Sequence, residues 1–204
     1  MTTAEPSQIK LLAAIAYGEA SILDDNDEVG GIAFAVANRA RAWGNKTISE
    51  VISADPQYTY AANGSNARFN LLMHATSEQI EKNSTLKRAI EWAQAALDQS
   101  KPDPSNGALW WDGVDIKTEY SKHPKVKKGI KFSSPTHNIF GIKETGKTIV
   151  VYWKVRNKKT GKEIASKERG RYDSVYISTA AFGQTIFWKY NPDFIKATGA
   201  KEYK

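Results

Sequence analysis

Two apolar helical segments lie close together in residues 6–43, which read PSQIKLLAAIAYGEASILDDNDEVGGIAFAVANRARAW. In residues 6–19 the apolar side chains recur on one face of a helix, and Pro6 is tolerated in an opening turn. In residues 28–43 small and apolar residues occupy nearly every side, which is typical of a buried helix. Because glycine and alanine permit close approach, we expect the two helices to pack directly against each other.

The composition is that of a folded globular protein, with 204 residues of which 41% are hydrophobic and 25% are charged. We expect one domain over residues 1–204, with a core at 6–142, a basic β-rich extension at 143–190 and a tail at 191–204. The absence of cysteine excludes disulfide frameworks, thiol catalysis and iron–sulfur clusters. No segment reaches the ~20 apolar residues of a membrane span, and the N-terminus lacks the pattern of a signal peptide. We therefore expect no membrane span, and export by a route that needs no signal peptide.

Further helices are predicted after residue 43. Thr47-Ile48-Ser49-Glu50 matches a capping box, in which the side chains at both ends satisfy backbone donors, and it predicts a short helix over 49–53. Residues 56–70 are rich in Tyr, Asn, Gly and Ser, so we expect a long surface loop there. Residues 84–99 show the spacing of an amphipathic helix.

The strand signals lie mainly in the second half of the chain. Residues 108–111 predict a strand after a turn, and residues 148–156 are rich in β-branched and aromatic side chains. A turn at 157–161 predicts a basic hairpin that continues into a strand over 172–179. Together the patterns predict an α+β fold, predominantly helical, with a small antiparallel hairpin or sheet region.

Several common motifs are absent or incomplete. Residues 141–148, GIKETGKT, match the phosphate-loop expression, but a strand rather than the required helix is predicted to follow, so we interpret them as a turn. The three histidines lack metal-binding spacing. The acidic residues 24–28 lack the glycine and the final glutamate of an EF-hand, which leaves calcium a minor alternative. We therefore expect no metal and no cofactor.

Two carboxylates stand out, because five acids fall within residues 19–28 of a chain with a formal net charge of +7. Glu19 follows an apolar helix face, where burial would favour the protonated form that a general acid needs. Glu28 lies nine residues further on, so residues 21–27 must fold back if the two are to cooperate. On these residues alone, a solvated acidic loop remains the favoured interpretation.

Aromatic side chains and basic residues complete the pattern. Tyr58, Tyr60, Trp110 and Trp111 are predicted in or beside loops, where flat rings can stack on sugars, although tryptophan is more often a core residue. Loop aromatics, a carboxylate pair and a basic surface together suit an anionic carbohydrate polymer such as peptidoglycan. The basic hairpin is expected to speed the encounter with the anionic wall.

Five short motifs, in the family's order, resemble those of the SleB-type cell-wall hydrolases: residues 16–20 (AYGEA), 37–39 (ANR), 47–52 (TISEVI), 106–111 (NGALWW) and 138–140 (NIF). The resemblance implies a lysozyme-like fold and Glu19 as the catalytic acid. Residues 111–115 and the basic region after Gly141 depart from the family pattern, and they are similar to the lysozyme domain of TseP-type type VI secretion effectors. That similarity implies an antibacterial toxin that acts in the periplasm or cell wall of a target bacterium and has a cognate immunity protein.

The resemblance leads to a specific hypothesis: a monomeric lysozyme (N-acetylmuramidase) that cleaves the β-1,4 bond between N-acetylmuramic acid and N-acetylglucosamine. Glu19 would protonate the leaving oxygen. Glu28, with Asp27 as the alternative, would stabilise the oxocarbenium-like transition state or activate water. The candidate substrate-binding residues are Tyr60, Trp110, Trp111 and Asp112.

Two other functions remain open at this point. A lytic transglycosylase of the SleB type uses the sugar's own 6-hydroxyl in place of water, and one carboxylate can suffice for it. A non-catalytic module that binds the cell wall or nucleic acid would use the same basic face, but it offers no reason for the clustered acids.

Overall fold

Helices α1 (Pro6–Glu19) and α2 (Asn26–Ala42) form the centre of the protein, whose computed structural model describes residues 5–203. The predicted first helix is confirmed, and α1 and α2 pack against each other as expected. The two glycines of α2, Gly30 and Gly31, permit contacts with elements other than α1. A Cβ at Gly30 would collide with the ring of Trp92, and a Cβ at Gly31 would lie 2.5 Å from the ring of Phe187. Glycine at these positions therefore lets two further elements pack closely on α2.

The other helices surround this pair or connect the strands. The Thr47–Glu50 capping box is present, and it begins a helix one residue earlier than predicted. Within the described residues the remaining α-helices are α3 (Ile48–Ala54), α4 (Ala67–His74), α5 (Ser77–Lys82), α6 (Ser84–Asp98), α7 (Asp115–Thr118), α8 (Pro124–Lys128) and α9 (Pro192–Thr198). None of the helices in residues 5–203 combines the length and the apolar character that a membrane span requires.

A four-stranded sheet packs beside the helices, in the order β1, β6, β5, β2. Its strands are β1 (Trp110–Asp112), β2 (Ile130–Lys131), β5 (Tyr176–Phe182) and β6 (Thr185–Tyr190). Strand β6 pairs antiparallel with both β1 and β5, and β2 pairs parallel with β5. The pairing of β1 with β6 joins residues that are far apart in the chain, such as Trp110 and Trp188, in one sheet.

Strands β3 (Ile149–Arg156) and β4 (Glu163–Tyr172) form a separate antiparallel ribbon, as the hairpin pattern predicts. Residues 141–148 lead into β3 rather than into a helix, so the first amides of a phosphate loop are not formed there. The fold as a whole is the predicted α+β class, with more helix than strand.

Two sequence predictions were wrong in detail. Residues 56–70 are not one long loop, because a 3-10 turn forms at Ala61–Asn63 and α4 begins at Ala67, where the Asn66 side chain caps the helix. The strand predicted at 172–179 is displaced, since β4 ends at Tyr172 and β5 begins at Tyr176. The side chain of Asp173 pairs with Lys131 at 2.7 Å between the two strands.

Candidate active site

Glu19 is the last residue of α1, and its half-buried carboxyl group is fixed from two sides. Thr59 Oγ1 and the backbone N–H of Ala61 both donate hydrogen bonds to Oε1. Trp111 Nε1 donates to Oε2 at 3.2 Å. Two separate parts of the chain therefore hold one orientation of this carboxyl group.

The end of α1 explains why residues 59–61 reach Glu19. The last carbonyl groups of a helix lack partners within the helix, and here Asn66 Nδ2 donates to the Gly18 oxygen at 2.9 Å while Arg68 Nε donates to the Tyr17 oxygen at 2.8 Å. Glycine at position 18 permits the approach, since a Cβ there would lie 2.9 Å from that of Ala61. The end of the helix and the segment beside it thus form one unit.

Tyr58 connects this segment to strand β1. Its hydroxyl donates to the Leu109 oxygen at 2.8 Å, and its ring meets the Trp111 ring edge-on at 5.2 Å. Burial raises the pKa of Tyr58 well above its usual value. A neutral, half-buried tyrosine therefore holds Trp111 against Glu19.

A cleft of about 770 Å³ opens beside Glu19. Its walls include Tyr60, which is 72% exposed, together with Trp111 and Thr185. Its titratable lining is acidic: the carboxylates are those of Glu19, Asp112, Asp115 and Glu119, and within the described residues no lysine or arginine lines it. The cleft therefore offers aromatic faces and an acidic surface to a ligand.

Glu28 lies in the first turn of α2 and is fully buried. Ser21 Oγ donates to its Oε2 at 2.6 Å, whereas the N–H of Gln184 and Thr185 Oγ1 donate to Oε1 at 3.1 Å and 2.7 Å. Gly183 has a φ of +55°, and a Cβ there would collide with the Glu28 carboxylate. The carboxylate therefore sits behind Thr185, which itself lines the cleft.

The other acids of residues 19–28 also have defined places. The Asp25 side chain accepts from the N–H groups of Asp27 and Glu28 and so caps α2, and Asp24 pairs with Arg68 at 2.7 Å. Asp27 is exposed on the first turn of the helix. This stretch is thus built into the fold, with Asp24 and Asp25 already engaged by a cation and by helix amides.

Asp112 follows Trp111 on β1 and is buried in an ionic cluster. Lys125 Nζ donates to its Oδ1 at 2.8 Å, and His123 Nε2 lies 3.4 Å from the same oxygen and 3.5 Å from Asp115 Oδ2. Burial lowers the pKa of His123, but the hydrogen bonds to Asp112 and Asp115 outweigh that effect and raise the pKa to about 9. The cluster holds Asp112 and the loop after it at the edge of the cleft.

Asp112, Asp115 and His123 are close enough together to hold a metal ion. However, the Lys125 ammonium group already binds Asp112 Oδ1, and a protonated imidazole is not a metal ligand. At neutral pH these two cationic groups occupy the place of a metal ion.

We expect the His123 cluster to make stability depend on pH. The pKa of His123 in the folded state, about 9, exceeds its ordinary value of 6.5, so its contribution is complete below pH 6.5 and is lost as the pH rises through 9. The melting temperature of the His123→Gln variant should therefore fall less than that of the wild type between these pH values. Thermal unfolding followed by circular dichroism checks this, and equal slopes for the two proteins would contradict it.

Trp110 lies on the face of β1 opposite Trp111. Its ring contacts those of Tyr190, with centroids 4.6 Å apart, and Tyr176, with centroids 5.7 Å apart. Trp110 lines a different depression, together with Arg39 and Trp43. The structure thus brings Glu19, Tyr60, Trp111 and Asp112 to one cleft, places Glu28 directly behind it, and leaves Trp110 outside.

Several residues of this site could not be predicted from the sequence. Thr59, Ser21, Thr185, His123 and Lys125 carry no motif of their own. Thr185 is 157 residues from Glu28, and nothing in the local sequence indicates that the two side chains meet. Thr185 reaches Glu28 only because β6 pairs with β1 and β5 in the folded protein.

Comparison with family models matches residues 28–133 to the family described as Cell Wall Hydrolase. The match covers half of the chain, and the protein belongs to this family of cell wall hydrolases. The matched segment begins at Glu28 and includes Thr59, Trp111 and Asp112, whereas Glu19 precedes it. Searches of curated proteins and of solved structures found no match.

Proposed function

We propose that the protein is a peptidoglycan N-acetylmuramidase, which hydrolyses the β-1,4 bond between N-acetylmuramic acid and N-acetylglucosamine. The observation that carries the proposal is the Glu19 carboxyl group, which is held by three donors at the side of an acidic cleft with aromatic walls. Membership in the cell wall hydrolases supports the polymer class.

Glu19 is the general acid in this mechanism. Its Oε1 is occupied by Thr59 and Ala61, so Oε2, at the Trp111 indole, is the oxygen with room for a further hydrogen bond to the glycosidic oxygen. Protonation of that oxygen as the bond breaks produces an oxocarbenium-like transition state. Water then completes the hydrolysis.

Glu28 acts on this transition state through its charge. Its three hydrogen-bond partners, Ser21, Gln184 and Thr185, all donate to the carboxylate, which suits an anion. The Glu28 carboxylate is also shielded from water. A negative charge in a buried, preorganised position stabilises developing positive charge in the adjacent cleft. Asp27 is the alternative second carboxylate, but its exposed position on the helix surface supports it less.

Tyr60, Trp111 and Asp112 form the proposed substrate contacts. We expect Tyr60→Ala to raise KM with little effect on kcat, because stacking on a sugar removes ~50 Å² of ring surface from water, about 1 kcal/mol or roughly a fivefold change. Kinetics on soluble glycan fragments measure this. Leu71→Ala is the matched control, since Leu71 is also exposed and lies outside the cleft. A tenfold or larger fall in kcat with unchanged KM would contradict a stacking role.

A lytic transglycosylase is the second candidate. The burial of Glu28 favours it, because of the two carboxylates Glu19 and Glu28 only Glu19 lines the cleft, and a transglycosylase can work with one. Digestion of purified peptidoglycan separates the two. Hydrolysis yields muropeptides that end in a reducing N-acetylmuramic acid, whereas a transglycosylase yields the anhydro form. We expect reducing ends by mass spectrometry, and exclusively anhydro products would overturn the muramidase proposal.

We also propose that the protein is an antibacterial effector that acts on the cell wall of a target bacterium and is neutralised by an immunity protein. The proposal rests on residues 111–115 and the basic region after Gly141. These segments depart from the SleB pattern and resemble TseP-type effectors. Expression directed to the periplasm of a bacterial host should cause lysis that depends on Glu19, whereas cytoplasmic expression should not. Lysis from the cytoplasm alone would contradict a target in the wall.

A further inference from the structure

The ribbon of β3 and β4 carries almost all of the protein's net charge. Residues 149–172 contain eight lysines and arginines and two glutamates, a formal net charge of +6 out of +7 for the chain. Glu163 pairs with Lys154 and Glu168 with Arg171. Within the described residues the other six cations have no carboxylate within 4.0 Å: Arg156, Lys158, Lys159, Lys162, Lys167 and Arg169.

The ribbon is anchored at its base and exposed towards its tip. At the base the Tyr172 ring contacts that of Phe194 on α9, and a Cβ on Gly170 would lie 3.0 Å from Ala197 Cα, so glycine permits this packing. Nearer the tip Trp153 is 47% exposed, and the Arg169 guanidinium lies 4.5 Å from the centre of its ring. The exposed end therefore presents aromatic surface beside uncompensated positive charge.

The base of the ribbon lies at the far end of the sheet from the cleft. Thr185, which lines the cleft, begins β6, and Tyr190 ends it just before α9. Five steps along a strand span ~17 Å. The cleft is lined by carboxylates, two of which, Asp112 and Asp115, are paired with Lys125 and His123. Because six described cations of the ribbon have no carboxylate partner, an anionic polymer segment is attracted to the ribbon rather than to the cleft. The two surfaces are therefore separate and differ in charge.

We propose that the ribbon, residues 149–172, is a second binding surface that holds the peptide carboxylates of the peptidoglycan network while the cleft holds a glycan strand. The choice of this polymer rests on the proposed function, and the affinity rests on charge complementarity. An anionic bilayer fits less well, because the tip, residues 157–162 (NKKTGK), has no apolar side chain to enter a membrane. The exposed apolar side chains of the ribbon lie nearer its base than this tip: Ile149, Tyr152, Trp153, Val155 and Ile164. Two linked surfaces keep the enzyme on the wall between cleavage events.

Binding of inactive protein to insoluble peptidoglycan tests this proposal without any cleavage. In a Glu19→Gln background, one variant replaces Lys158, Lys159, Lys162 and Lys167 by glutamine. The matched control replaces four exposed lysines outside the ribbon, with the same change in charge: Lys101, Lys127, Lys128 and Lys143. All eight side chains are exposed, so both variants should fold, which circular dichroism checks.

We expect the ribbon variant to bind at least about tenfold more weakly at low ionic strength, with the control close to the parent and the difference lost at high salt. Equal binding by the ribbon variant and its parent, or equal losses in both variants, would overturn the proposal. So would a loss seen with single-stranded DNA or anionic vesicles but not with peptidoglycan. If the wild type cleaves no peptidoglycan while ribbon-dependent binding persists, the proposed function fails and the second binding surface stands.

Discussion

The Glu19→Gln variant is expected to cleave peptidoglycan about 10²- to 10⁴-fold more slowly than the wild type, the usual contribution of a general acid. Glutamine keeps the oxygen that accepts from Thr59 and Ala61 and loses the acceptor for the Trp111 N–H, so the fold should be retained with one hydrogen bond fewer. The loss that matters for catalysis is that of the proton for the glycosidic oxygen. Initial rates of release of soluble muropeptides from purified peptidoglycan measure the effect, and thermal unfolding checks the fold.

Glu119→Gln is the matched control for this variant. Glu119 lines the same cleft and undergoes the same substitution, but within the described residues its side chain takes no part in the hydrogen bonds that hold Glu19. We expect its activity to stay within a few-fold of the wild type. Full activity in Glu19→Gln would exclude Glu19 as the general acid, and an equal loss in both variants would show that the acidity of the cleft rather than a single acid matters.

The Glu28→Gln variant is expected to lower the cleavage rate about 10- to 20-fold, because a unit charge within ~10 Å contributes about 1.7 kcal/mol at an effective dielectric constant near 20. Glutamine can still accept from Gln184 and Thr185, and its amide can donate to Ser21. The melting temperature should therefore change little. Activity measured beside thermal unfolding separates loss of charge from loss of structure.

Ser21→Ala is the control for this second carboxylate, since it removes one hydrogen bond to Glu28 and keeps the charge. We expect it to retain most of the activity. If Glu28→Gln is as active as the wild type, the role of Glu28 is to hold the turn between β5 and β6. If Ser21→Ala loses as much activity as Glu28→Gln, the position of the carboxylate matters rather than its charge.

Local sequence patterns predicted the parts of the fold that local interactions decide. The first helix, the capping box of Thr47 and Glu50 and the β3–β4 hairpin all follow from spacing, capping and turn residues within a few positions. The placement of Glu19 at the end of α1 follows from the same helix boundary. These features needed no knowledge of distant residues.

The remaining features depend on pairings between distant segments. Trp110 and Trp111 look equivalent in the sequence, but side chains alternate along a strand, and pairing with β6 places Trp111 at the cleft and Trp110 on the opposite face. The burial of Glu28 likewise depends on Thr185 and Gly183. Strand β6 and helix α9, which complete the sheet and anchor the ribbon, were missed altogether.

Digestion of purified peptidoglycan in water enriched in the heavy oxygen isotope tests the proposed chemistry most directly. Hydrolysis with Glu19 as the acid places one heavy oxygen at the new reducing end of each N-acetylmuramic acid, which mass spectrometry detects. We expect this label in the products of the wild type and almost no product from Glu19→Gln. Products without the label, or labelled products formed equally fast by Glu19→Gln, would contradict a muramidase that uses Glu19.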